Sequence, residues 1–170
     1  DLWLGRLLEW IFELEPKSEL PPLIVLISDH GEALGEYQDP PDRYGFGHSL
    51  LYEPVSRIPF IISWPGVIPE GVVVSELAET VDLAPTLVSY VFNQAAFLDH
   101  GGQDLRPLIE GTSQGDDLGF VQRHRLDHPP PDRPERAERW FAVYKKNHKL
   151  MVRTEDGTAR LYDFKSDPHE

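Results

Sequence analysis

Residues 23–27 form the most apolar stretch of the chain, and the residues after them change character abruptly. The run Leu-Ile-Val-Leu-Ile is rich in β-branched side chains, which indicates a strand buried on both faces, as in a parallel sheet covered by helices. It is followed directly by Ser28, Asp29, His30 and Gly31. In open α/β sheets, ligands bind beyond the carboxyl ends of the strands, so an ionisable pair at this position is a candidate site.

Asp29 and His30 can serve one ion only if the backbone turns where they stand. Neighbouring side chains of an extended strand point to opposite faces, and Gly31 permits a turn because it carries no Cβ atom. A carboxylate and a neutral imidazole can ligate a divalent cation, and further oxygen donors would favour Ca²⁺, Mg²⁺ or Mn²⁺. The ordinary alternative, polar residues in the turn after a strand, stays open at this stage.

The patterns in the first half of the chain predict helices beside buried strands, that is, an α/β fold. Apolar residues at helical spacing over residues 4–14 predict an opening helix that Pro16 ends, and a second apolar strand is expected over residues 58–63. A further helix is expected from about Asp82 as N-cap, with Pro85 in its first turn. Its inward face is expected to consist of Leu83, Leu87, Val88 and Val91.

The last third of the chain predicts a small antiparallel sheet. Short strands are expected over residues 119–123, 140–145, 149–153 and 160–164. The proline- and charge-rich residues 126–139 are expected to form an exposed loop after the first strand. We place a boundary near residue 95, with residues 1–95 in an α/β domain and residues 96–170 in the small antiparallel subdomain.

The composition excludes several classes of function. The chain has 170 residues and a formal net charge of −13, and such an acidic surface repels phosphate backbones, so no nucleic-acid partner is expected. It has no cysteine, which rules out disulfides and thiolate metal ligands within these residues. No apolar run reaches the roughly 20 residues needed to span a bilayer. Oligomeric state stays open.

Several polar residues near the apolar strands have two readings each. His48 follows a glycine-permitted turn and precedes an expected helix start at Ser49, a setting that suits either a surface histidine or one held over an anionic group. Arg57 is interpreted as a buried structural cation rather than an anion ligand. Glu32 and Glu36 are expected in a first helical turn after the strand, where carboxylates complement the helix N-terminus.

Six stretches of the sequence resemble, in the same order, landmarks of the sulfatase family, within the alkaline phosphatase-like superfamily of metal-dependent ester hydrolases. They are LIVLISDHGEALGE, GFGHSLLYEPVSRIPFIISWPG, AETVDLAPTLVSY, GGQDLRPLIEG, RWFAVYKKNHKLMV and ARLYDFKSDPHE. The resemblance covers nearly the whole chain, but only the C-terminal half of a full-length sulfatase. It implies an alkaline phosphatase-like mixed or parallel sheet with flanking helices, with residues 1–95 belonging to the catalytic domain.

The resemblance also implies roles for three residues. Asp29 matches the family aspartate that ligates the catalytic divalent cation, usually Ca²⁺, and His30 matches the adjacent metal position. His48 falls where the family places a lysine or histidine that contacts the sulfate oxygens. The family nucleophile is a formylglycine made within a Cys/Ser-x-Pro-x-Arg motif, and no such motif occurs here. We therefore expect an intact enzyme that hydrolyses sulfate esters and an isolated chain that does not.

Two alternative functions stay open from the sequence. One is a phosphodiesterase, phosphonate monoester hydrolase or phosphatase of the same superfamily, because an Asp-His pair suits those enzymes equally. The other is a non-catalytic, truncated relative that keeps the fold to bind a cation or a partner. Localisation is also open: the family tends to be exported or lysosomal, and an export signal would precede Asp1.

Overall fold

The computed structural model describes residues 1–13, 20–36, 46–48, 51–94, 101–115, 117–124, 139–167 and 170. The helices are α1 (Leu2–Glu13), α2 (Glu53–Ser56), α3 (Leu83–Phe92) and α4 (Arg106–Ile109). The strands are β1 (Ile24–Ile27), β2 (Ala33–Leu34), β3 (Phe46–Gly47), β4 (Phe60–Ser63), β5 (Leu118–His124), β6 (Arg139–Lys145), β7 (His148–Arg153) and β8 (Ala159–Asp163). Helices beside short strands, with a separate antiparallel sheet, match the predicted α/β class.

The opening helix is confirmed, but its apolar stripe covers no core among the described residues. None of the side chains of α1 is buried, and Trp3 and Trp10 are 74% and 57% exposed. At 12 residues α1 is well short of a bilayer span, and no helix of the described chain is both long and apolar enough for one.

The two apolar strands pair with each other, and they pair antiparallel. The register places Ile24 opposite Ser63 and Ile27 opposite Phe60. The expectation of burial on both faces is wrong for these residues, because Leu26 and Ile61 are exposed. An antiparallel pair tolerates one solvated face, whereas a parallel strand needs both faces covered.

The predicted C-terminal sheet is confirmed, with strand order β5-β6-β7-β8 and every pair antiparallel. Alternate residues of β6 point inward, so that Trp140, Ala142 and Tyr144 are buried. The β6–β7 turn needs a positive φ, which Lys146 adopts at 54°. The turn residues and the alternation of apolar residues are therefore the signals that predicted this sheet.

The main core lies between this sheet and the segment before α2. It consists of Leu51, Tyr52, Trp140, Ala142, Tyr144 and Met151. Residues from both sides of the predicted boundary thus share one core. Residue 95 itself lies outside the described residues, as do residues 126–138 of the predicted loop and Ser49, so those predictions are untested.

A fully buried lysine joins the sheet to α2. Lys149 has no exposed side-chain surface, and its Nζ lies 2.7 Å from Glu170 Oε1 and 3.5 Å from Glu53 Oε1. The Tyr144 hydroxyl donates to the same Glu53 oxygen at 2.8 Å, and the Glu53 amide donates to Glu170 Oε2 at 2.6 Å. Burial lowers the pKa of Lys149 and raises the pKa of Glu170, and their mutual pairing opposes both shifts. We call these four residues the lysine clamp.

Helix α3 begins at Leu83, where the sequence predicts it, but Asp82 does not cap it with its side chain. The buried Asp82 carboxylate instead accepts hydrogen bonds from the Glu79 amide and the Gln103 amide, both at 2.8 Å. The predicted inward face is also wrong at Val91, which is 49% exposed. The buried residues of α3 are Pro85, Thr86, Ser89 and Tyr90.

Removal of the Lys149 ammonium group is expected to destabilise the fold strongly. In Lys149→Ala the carboxylates of Glu53 and Glu170 lose their buried partner, which costs about 3–5 kcal/mol for such pairs. The matched control is Lys146→Ala, which removes an exposed ion pair with Asp117 at 3.7 Å and is expected to cost less than about 1 kcal/mol. Urea denaturation measures both, and equal effects of the two substitutions would contradict the clamp.

Candidate active site

The turn after β1 is held by its own polar groups. The Ser28 hydroxyl donates to the His30 carbonyl at 2.6 Å, and the His30 amide donates to Asp29 Oδ1 at 2.9 Å. The His30 ring lies with Nδ1 2.7 Å from the Gly31 carbonyl oxygen. A carbonyl only accepts, so Nδ1 carries the proton and Nε2 of the neutral ring keeps a free lone pair.

Gly31 is required by close packing. Its φ is not positive, and its amide donates to the Val55 carbonyl of α2 at 2.8 Å. A Cβ atom built at this position would lie 2.0 Å from the Pro54 carbonyl oxygen. The sequence-based reason for this glycine, an unusual φ, is therefore wrong, and the approach of α2 is the physical reason.

Asp29 and His30 converge, as the sequence predicts. His30 Nε2 lies 3.8 Å from Asp29 Oδ2. The hydrogen bond from the amide of His30 holds the pKa of the Asp29 carboxyl below its ordinary value, so this exposed group stays ionised at neutral pH.

An antiparallel pair of two-residue strands brings His48 to the turn after β1. Strand β2 pairs antiparallel with β3, with Ala33 opposite Gly47, and His48 follows directly. The His48 ring stacks on the His30 ring with centroids 4.3 Å apart and planes at 30°. His48 Nδ1 lies 3.1 Å from Glu32 Oε2. The structure thus gathers Asp29, His30 and His48, the three residues that the sequence singles out, and adds Glu32.

The expected helix after β1 is absent from the described residues 31–36, of which Ala33–Leu34 form strand β2. Glu32 contacts His48, and Glu36 Oε2 accepts from the Leu34 amide at 2.5 Å. A strand of two residues has no periodicity to detect, which is why the sequence gives no signal for it. Arg57 is exposed at the end of α2, so its expected burial is wrong as well.

The donor atoms of Asp29 and His30 fit one divalent cation. Bonds of about 2.0–2.6 Å allow two ligand atoms 3.8 Å apart to reach the same ion. One ionised carboxylate and one imidazole with a free lone pair leave most of the coordination shell to other groups. The metal role of these residues stays a prediction.

One family model matches more than half of the chain. Residues 43–170 match the family model described as N-sulphoglucosamine sulphohydrolase, C-terminal. This chain belongs to that sulfatase family. The match includes His48, whereas Asp29 and His30 precede it.

Curated relatives that align with the chain are sulfatases of greater length. An N-acetylglucosamine-6-O-sulfatase of Bacteroides thetaiotaomicron is 30% identical over 98% of this chain and 28% of its own length. Human steryl-sulfatase is 28% identical over 71% of this chain and 22% of its own length. The chain therefore spans less than a third of each.

Solved structures confirm the fold class. One, a protein in complex with its substrate D-glucosamine-2-N,6-O-disulfate, matches with a TM-score of 0.76 and 25% identity over 97% of this chain and 32% of its own. Another, a phosphonate monoester hydrolase of Silicibacter pomeroyi, matches with a TM-score of 0.74 and 25% identity over 96% of this chain and 32% of its own. The chain has the α/β fold of the alkaline phosphatase-like enzymes.

The contact of Gly31 with α2 predicts an unusual cost for one methyl group. Gly31→Ala is expected to lower the free energy of unfolding by about 1–3 kcal/mol, because backbone rather than a flexible side chain must move. Gly5→Ala is the control: no atom lies within 4 Å of its Cβ position in α1, so alanine is expected to stabilise by up to about 1 kcal/mol. Chemical denaturation measures both, and a neutral Gly31→Ala would contradict the packing.

Proposed function

We propose that this chain is the C-terminal part of a metal-dependent sulfatase that hydrolyses sulfate esters. The observation that carries the proposal is the meeting of Asp29, His30 and His48 at one turn, with the two imidazole rings 4.3 Å apart. Family membership supplies the reaction class, and the geometry supplies a place where a cation and a sulfate group would lie side by side.

Each of the three residues takes one role in this proposal. Asp29 and His30 hold the divalent cation, Ca²⁺ in the first instance, with Mg²⁺ or Mn²⁺ as substitutes. When bound, the cation contributes positive charge against the sulfate oxygens. His48 in its imidazolium form donates from both nitrogens, so that Nδ1 contacts Glu32 while Nε2 is left to donate to a sulfate oxygen. Such a donor stabilises charge that develops during ester cleavage.

The nucleophile and the rest of the metal shell have to come from outside these residues. The sequence holds no Cys/Ser-x-Pro-x-Arg motif, and the described turn offers two of the metal's ligands. The chain supplies the part that positions sulfate and cation, and the remaining two thirds of a protein of its relatives' length would supply the attacking group.

A sulfated amino sugar is the substrate class that we propose to test first. The relative named N-acetylglucosamine-6-O-sulfatase aligns with 98% of the chain, and the structure solved with a glucosamine disulfate overlaps 97% of it. A sulfated sterol is the alternative within the sulfatases, because steryl-sulfatase aligns with 71% of the chain.

Phosphonate ester hydrolysis is the second candidate function. It is favoured by one observation, the fold similarity to a phosphonate monoester hydrolase, which matches nearly as well as the disulfate complex. An Asp-His pair that holds a cation suits a phosphoryl group as it suits a sulfuryl group, so the choice of substrate has to be measured.

The intact protein is expected to hydrolyse glucosamine 6-sulfate and an aryl sulfate faster than a phenylphosphonate ester. His48→Ala is expected to lower kcat about 10²–10³-fold, because a donor to the developing charge is lost. Asp29→Asn and His30→Ala are expected to lower both turnover and the affinity for Ca²⁺. His148→Ala, at an exposed position in β7, is the control and should leave turnover unchanged.

Two results would overturn this proposal. The first is full sulfatase turnover in His48→Ala, since no group would then be lost from the sulfate position. The second is a higher kcat/KM for the phosphonate ester than for every sulfate ester in the panel, which would establish the second candidate function instead.

The isolated 170 residues are expected to show no sulfatase turnover and only weak Ca²⁺ binding. The reason is the two-ligand site without a nucleophile. An assay with an aryl sulfate, after purification from a host without sulfatases, together with calorimetric Ca²⁺ titration, tests both statements. Rapid turnover or tight Ca²⁺ binding by the chain alone would show that the site is complete without further residues.

A further inference from the structure

Three side chains at the site form a set of possible metal ligands that differs from Asp29 and His30, the pair proposed to bind Ca²⁺. His30, Glu32 and His48 each offer one nitrogen or oxygen, and these three atoms all lie within 4.8 Å of one another. Asp29 is not part of this set. Its carboxylate accepts from the His30 amide and lies 3.8 Å from His30 Nε2.

The chemistry of the set points to a different ion. Two imidazoles and one carboxylate are the protein ligands of many three-ligand zinc sites, which leave one position open. Calcium instead prefers six to eight oxygen atoms. Imidazole binds zinc, copper and nickel more tightly than it binds calcium or magnesium. We propose that His30, Glu32 and His48 form a zinc-binding site, and that zinc at this site excludes Ca²⁺.

The described geometry is close to the one that zinc needs. Zinc bonds of about 2.0 Å in a tetrahedron place ligand atoms about 3.3 Å apart. His48 Nδ1 and Glu32 Oε2 are already 3.1 Å apart, so an ion can take the place of the proton between them. His30 has its Nδ1 on the Gly31 carbonyl, which leaves Nε2 as its ligand atom. All three side chains are exposed and can close on an ion by rotation.

The exclusion follows from shared ligands. His30 cannot give the same Nε2 lone pair to zinc and to a calcium ion beside Asp29. His48 bound to zinc through Nδ1 keeps its proton on Nε2, so zinc competes with Ca²⁺ and not with the sulfate contact. The zinc site does not depend on the proposed function, whereas the exclusion of Ca²⁺ rests on it.

The test uses the intact protein, without a histidine tag, titrated with Zn²⁺ by calorimetry and with Co²⁺ by visible absorption. One equivalent of Zn²⁺ and a strong Co²⁺ band typical of four-coordinate nitrogen and oxygen ligands are expected. Glu32→Gln and His48→Ala are each expected to weaken Zn²⁺ binding at least tenfold without weakening Ca²⁺ binding. Asp29→Asn is expected to do the reverse, and His148→Ala to change neither.

The outcomes separate the two proposals. Absence of stoichiometric Zn²⁺ binding, or binding that Glu32→Gln and His48→Ala leave unchanged, would overturn the zinc site. Zinc binding at these residues in a protein without sulfatase activity would support the site while the proposed function fails. An affinity for Ca²⁺ that is unchanged with one equivalent of Zn²⁺ bound would overturn the exclusion of Ca²⁺.

Discussion

The contact between Gly31 and α2 is the constraint on which the site depends. The Gly31 amide donates to Val55, and the Pro54 carbonyl occupies the space where any larger residue would place its Cβ atom. Helix α2 has only four residues and too few internal hydrogen bonds to fix its own position. The lysine clamp fixes it instead, because Lys149 reaches Glu53 at the start of α2 from a buried position in β7. The position of the turn at Asp29 and His30 therefore rests on the ion pair between Lys149 of the C-terminal sheet and Glu53 of α2.

The residues that hold the turn in place are thus different from the residues of the candidate site. The groups of the lysine clamp are buried, and the loss of a charged partner there costs several kcal/mol. The folded state therefore keeps them paired. The side chains of the candidate site are exposed, and hydrogen bonds from the Ser28 hydroxyl and the His30 amide hold the turn that carries them. Exposure of Asp29 leaves its carboxylate free for an ion, and its lowered pKa keeps it charged.

The sequence predicts those parts of the structure that carry a repeating apolar pattern or that end at turn residues. The C-terminal strands alternate and end at turn residues, so their sheet was predicted correctly. The apolar run before Asp29 ends where a site can lie, and the role of that site stays a prediction. The pairing of Glu32 with His48 was missed, because it depends on a hairpin of two-residue strands with no pattern of their own. Lys149 left a weak signal, since it stands in phase with buried Met151 in β7. A lysine in that phase indicates a buried charge whose partners come from elsewhere in the chain, and the sequence does not say where.

His30 is the residue at which the two possible ions part. Asp29, an ionised carboxylate, lies 3.8 Å from His30 Nε2 and favours a hard cation with further oxygen ligands. Glu32 and the stacked ring of His48 together offer a carboxylate and a second nitrogen. The neighbours that bind the ion together with His30 therefore decide which ion it is. An asparagine in place of His30 would keep an oxygen ligand beside Asp29 and would remove the imidazole nitrogen that a zinc site needs. Histidine at this position thus permits a zinc site that an asparagine would not.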